Sequence, residues 1–193
     1  MHLQVEFASF WRNLNQLDRS NMNNIELNLE NQIHANLYCE EPIDLDLALF
    51  YQTKDNQSNG VCSMEYTGKK ESEGCLEKFP HIKYMHDYDL NCLEKIIISS
   101  LQNMKSIYIC AIDYSSAING EKTDFSSLGG RLDFVANNKL LHSIHMDNYK
   151  TGVIYLFCRI VLEEGRFLLE EINDGLSLEE AYNNIPGFSE ICN

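Results

Sequence analysis

The chain has 193 residues, 44% hydrophobic and 23% charged, with 29 acidic against 15 basic residues and a net charge of -14. That usage is globular rather than disordered, and its acidity argues against a nucleic-acid partner. No apolar run approaches the roughly 18 residues of a membrane span, and Met1 to Asn13, with Glu6 and Arg12 in its apolar stretch, does not read as a signal peptide.

In chain order, the first pattern is helical. Phe7, Phe10, Trp11, Leu14 and Leu17 fall on one stripe at helical spacing. An Asn- and Ser-rich connection runs from Asn13 to Asn24, and the period then changes to two. Ile25, Leu27 and Leu29, and then Ile33, Ala35 and Leu37, alternate with polar residues as half-buried strands do. Asp44 to Tyr51 is expected as a strand, and Asn59-Gly60 as a turn leading into a strand from Val61 to Tyr66.

Further strands are expected over Lys95–Leu101, Ser106–Tyr114, Arg131–Ala136, Leu140–Met146, Gly152–Glu163 and Arg166–Ile172. Asn119-Gly120 and Asp174-Gly175 are expected to supply turns. Ser177-Leu178-Glu179-Glu180 is a capping box that should open a short helix through Asn184, stopped by Pro186-Gly187. Strands at ten- to fifteen-residue intervals without intervening helices predict an all-β, antiparallel two-sheet sandwich with an N-terminal helix and a short C-terminal helix. Residues 1–23 form the helix and connection; 24–193 form one sandwich domain.

Seven cysteines, odd in number and without a paired CxxC spacing, read as reduced thiols of a cytoplasmic protein rather than a zinc site. The sharpest chemical feature is Asp44-Leu45-Asp46. In a strand the two carboxylates share a side about 6 to 7 Å apart. They would repel by roughly 2 to 3 kcal/mol at an effective dielectric of about 20. Solvent could screen that repulsion at a strand end; a hard cation held between them would relieve it, with further oxygens from elsewhere. His86-Asp87-Tyr88-Asp89, followed by Asn91 and Glu94, forms a second acidic cluster able to supply those oxygens.

Asp55 to Tyr66 resembles an EF-hand loop in part, but Tyr66 stands where the bidentate acid belongs. His142 and His145, three apart in a strand, face opposite sides. Signatures of nucleotide, serine-hydrolase or zinc-protease chemistry are missing, so a metal-dependent hydrolase is the weakest reading.

The alternating strand pair that leads into Asp44–Phe50 resembles the opening of the TerD-like tellurium-resistance family. The likeness continues through Lys78-Phe79-Pro80-His81-Ile82, the strands Glu94–Ile98 and Ser106–Ile112, and the closing segment Leu178 to Phe188. This resemblance implies a β-sandwich that binds one or two calcium ions in acidic loops at one end. It implies a non-enzymatic role in bacterial stress responses, with other stress-response proteins as partners. Carried over by position, Asp44 and Asp46 match the paired aspartates, Asp87 matches an acidic-loop aspartate, and Glu94 the last acid of a later cluster. Asp89 stands as a local substitute. His86 replaces a glycine of the family pattern, and Cys92 and Leu93 stand where aspartates are usual. A member that has lost the metal and serves as a protein-interaction module is the alternative.

Overall fold

Period-two alternation makes strands whose apolar side must be covered, and here two sheets cover each other. The structure is a computed structural model that describes residues 25–27, 32–41, 43–86 and 94–191. The strands are β1 (Ile25–Glu26), β2 (Ile33–Tyr38), β3 (Asp46–Thr53), β4 (Ser58–Val61), β5 (Gly74–Cys75) and β6 (Ile82–His86), then β7 (Glu94–Ile98), β8 (Met104–Ile112), β9 (Arg131–Ala136), β10 (Lys139–His145), β11 (Ile154–Glu163) and β12 (Arg166–Leu176). They form one sheet in the order β1-β12-β11-β8-β3-β4 and a second in the order β10-β9-β2-β7-β6-β5. All pairings are antiparallel. The β-rich, two-sheet expectation therefore holds. The expected helix over Phe7–Leu17 lies outside the described residues.

The main core sits between the sheets. Leu47, Leu49 and Tyr51 of β3 pack with Ala35 of β2, Ile96 of β7 and Phe134 of β9. At the usual coefficient, each fully buried side chain of Leu or Phe size contributes roughly 1.5 to 3 kcal/mol. The first sheet is also apolar on its outer face, where Ala48, Phe50, Cys110 and Leu156 lie. Two C-terminal helices roof it: Leu178–Asn184, the third helix (α3), and Phe188–Ile191 (α4). Ala181, Ile185 and Phe188 are their inward residues. The expected capping box is present in full: Ser177 Oγ accepts from the Glu180 amide, and the Glu180 carboxylate accepts from the Ser177 amide at 2.8 Å.

Several turn signals act otherwise than expected. Asn59-Gly60 lies inside β4, not at a turn. A Cβ on Gly60 would stand 2.8 Å from Phe50 and 2.9 Å from Ile191, so glycine lets α4 close on the strand. After Val61 the chain leaves the sheet: Ser63 caps a helical turn, α1 (Met64–Thr67), where a strand was expected. The strand expected through Tyr114 ends at Ile112, because Asp113 caps α2 (Tyr114–Asn119) and accepts from the Ser116 amide at 2.9 Å. Gly120 ends that helix in the left-handed region rather than turning a hairpin. Asp174-Gly175 continues β12, where a Cβ on Gly175 would meet the Lys150 carbonyl oxygen at 2.1 Å. The β11–β12 hairpin turns instead at Glu164 (φ 48°) and Gly165 (φ 81°), both left-handed, as a type I′ turn requires.

Candidate functional site

The start of β3 sets the site. Leu45 and Leu47 are buried in the main core, which turns Asp46 to the opposite side, where it is half-buried; Asp44, just before the strand, is exposed. In register, Asp46 stands opposite Ile112 at the end of β8. Across the sandwich, β7 begins with Glu94, which the alternation Glu94, Ile96, Ile98 places on the inward side.

Glu94 is only 5% exposed. Its Oε2 accepts from the backbone N–H of Leu47, and its Oε1 from the hydroxyl of Tyr84 on neighbouring β6. Burial pushes the Glu94 carboxyl up to about 8, and the charges of Asp46 and Asp44 push the same way; the two hydrogen bonds oppose this. Burial also raises the Tyr84 phenol, as does the charge of Glu94, against a hydrogen bond with Ser63. Glu94 near neutrality is therefore largely a protonated acid, wedged between the sheets beside two aspartates.

Of the five expected metal ligands, the structure brings Asp44, Asp46 and Glu94 to one end of the sandwich. Asp87 and Asp89 lie outside the described residues. Among the described residues, no group of three or more His, Cys, Asp or Glu side chains is arranged to hold a metal ion. The two aspartates suit calcium in kind, being hard oxygen donors, but supply at most four of its six to eight oxygens. Glu94 fits differently, since both its oxygens are already engaged by the protein. The sequence reading missed Tyr84 and Ser63, which complete the buried cluster. The alternation of Ile82, Lys83, Tyr84 and Met85 was the available signal for Tyr84; for Ser63 there was none.

The histidine pair does not form a site. His142 Nε2 lies 2.6 Å from Glu171 Oε1, joining β10 to β12. Cys39, Cys75 and Cys158 are free thiols, and burial pushes the Cys158 thiol upward, away from reactivity. No helix among the described residues is long and apolar enough to cross a membrane.

No family model matches the sequence, and no curated protein does. The fold has solved counterparts. One is a homologue of the telluride resistance protein TerD from Streptomyces coelicolor A3(2), with a TM-score of 0.54 and 8% identity, covering 81% of this chain and 99% of that one. Another is a protein of unknown function, with a TM-score of 0.53 and 8% identity over 80% of this chain and 97% of its own. The likeness is one of fold, and it is the fold that the motif resemblance implied.

Proposed function

We propose that the chain is a divergent TerD-like stress-response protein of the cytoplasm that works by binding rather than catalysis, with calcium as its ligand at the Asp44–Asp46 end of the sandwich. The observation that carries this reading is the concentration of acid there. Two aspartates at the start of β3 stand close enough to Glu94 to help hold its carboxyl in the protonated form. A divalent cation is the ligand that such like charges favour. Asp44 and Asp46 would contact it. Glu94, tied to Leu47 and Tyr84, would fix the start of β3 rather than serve as the main donor.

The full bonding of Glu94 also supports a second reading, in which the metal is gone and the acidic end is an interaction surface for basic partners. Calorimetry of the full chain, freed of metal by chelator and titrated with calcium chloride, tells the two apart. Saturable heat that Asp46→Ala removes supports calcium binding. Absence of any heat in the wild type would overturn it and leave the interaction module.

A further inference from the structure

At one end of the first sheet, Leu176 of β12 and Ile112 of β8 both stand in register with Ile154 of β11, so they lie two strand spacings apart, about 10 Å. Two residues beyond each, a helix begins: Tyr114 opens α2 and Leu178 opens α3. Both helices turn onto the outer face of that sheet, where Ala117 of α2 and Ala181 of α3 pack into one apolar cluster. Each helix carries a second apolar pair one turn apart, Tyr114 with Ile118 and Leu178 with Tyr182. These four are 50%, 66%, 40% and 40% exposed, and they make up four of the ten large apolar side chains exposed among the described residues. Scattered singly such residues mean little; four on two neighbouring helices make a patch. Its rim is acidic. Glu179 lies on α3 between Leu178 and Tyr182, and Glu121 donates its amide to the Ser116 carbonyl at the end of α2, at 2.9 Å. The charge of Lys150 is offset twice, by Asp174 at 3.1 Å and Glu180 at 3.2 Å, and Lys122 follows Glu121 in sequence.

We propose that this patch is a docking surface for a basic amphipathic helix of a partner protein. Apolar side chains spread over two short helices receive the i, i+3, i+4 and i+7 anchors of such a helix. Tyr114 and Tyr182 add the large rings that interface cores favour. Glu121 and Glu179 meet the cationic groups that flank the partner's apolar stripe. Charge decides among the occupants. A second copy of the chain would set acid against acid at a net charge of -14, and an anionic membrane would be repelled likewise. An added strand would need an open backbone edge, whereas the backbone here is bonded within α2 and α3. The patch shares no residue with the Asp44–Asp46 end, so the inference does not rest on calcium.

The test is fluorescence anisotropy of a labelled leucine–lysine peptide of about 18 residues, its leucines on one helical stripe, titrated with the full chain. Chelator keeps the outcome independent of calcium, and salt at about 0.15 M screens loose charge attraction. Saturable binding with a Kd on the order of 10 μM is expected. A peptide of the same composition with its leucines scattered should bind at least about tenfold more weakly, since only charge then remains. Ile118→Ser, at the most open position, should weaken the striped peptide by about tenfold while the melt stays unchanged, and Leu178→Ser should weaken it similarly. Absence of saturable binding overturns the proposal. So does equal affinity for the scattered peptide, or affinity that neither serine variant alters. Three further results would seat another occupant on the patch and overturn it as well. One is a wild-type chain that sediments as a dimer while Ile118→Ser sediments as a monomer. Another is binding of wild type, but not of Ile118→Ser, to phosphatidylglycerol vesicles. The third is emission from Trp11, the sole tryptophan, that shifts in Ile118→Ser without peptide, which would put the chain's own N-terminal segment there.

Discussion

The backbone N–H of Leu47 donates to the carboxyl of Glu94, so the strand that carries Asp46 in one sheet is fastened to the first residue of β7 in the other. The bond spans 47 positions of sequence. It joins the two layers at the end where the acidic residues gather, and it makes the protonation of one buried carboxyl a matter of fold stability.

The first prediction concerns pH. Folded Glu94 holds its proton up to about pH 8, whereas in the unfolded chain it ionises near the ordinary value of 4.5. Between those values the folded state binds more protons than the unfolded one, so stability falls as pH rises. The contribution is fully present below the unfolded pKa and is lost as pH rises through the folded one. Its size is on the order of 5 kcal/mol. Glu94→Gln keeps one oxygen of the side chain, able to accept from the Leu47 amide or from the Tyr84 hydroxyl, and removes the titration. Denaturant melts in chelator should show the variant and wild type close at about pH 5, with wild type falling progressively behind toward about pH 9. Parallel curves across that range would refute the assignment.

The second prediction concerns the roof over the outer face. Phe188 is fully buried and packs its ring 5.1 Å from Phe50 and 5.3 Å from Tyr182, measured between centroids. Phe188→Ala leaves a cavity that α4 covers but cannot fill, and should cost about 3 to 5 kcal/mol in a denaturant melt. A loss below about 1 kcal/mol would mean that the helix is not held by this ring.

A third prediction isolates the capping box. Ser177→Ala removes the acceptor for the Glu180 amide and frees the Glu180 carboxylate, which also lies 3.2 Å from Lys150 Nζ. The expected cost is about 1 kcal/mol, and Ser177→Asp should restore most of it. Equal melts for wild type and Ser177→Ala would show that packing alone holds α3.

What could be read in the sequence was local. The alternation at Ile33–Leu37 and Arg131–Ala136 marks strands because a half-buried face imposes period two, and the Ser177–Glu180 spacing marks a cap because both partners lie within one helical turn. Asn59-Gly60 and Asp174-Gly175 misled for one physical reason: glycine is also demanded where another backbone or a packed helix comes close, and the approaching group is distant in sequence. The partners of Glu94 were hidden in the same way. Leu47 and Tyr84 reach it only once two sheets have formed, and no spacing along the chain announces that.

The last prediction tests the proposed ligand. Folding brings Asp44, just before β3, and Asp46, its first residue, near enough to Glu94 for both charges to bear on a third acid that the fold keeps mostly protonated. A cation that binds only this folded arrangement stabilises it by RT ln(1 + [L]/Kd), about 2.7 kcal/mol at one hundred times Kd. For a chain of this length the melting temperature should rise by roughly 5 to 11 °C. Magnesium should do less, since it resists losing its waters to a site of several protein oxygens. Asp46→Ala should abolish the calcium shift and yet cost little stability in chelator, because it also removes a charge that bears on Glu94. In the variant the Glu94 carboxyl should ionise at lower pH than in wild type, visible as a weaker decline of stability on the alkaline side. Identical wild-type melts in millimolar calcium and in chelator would sink the calcium reading, while leaving the Glu94 titration, which needs no metal, to stand or fall separately.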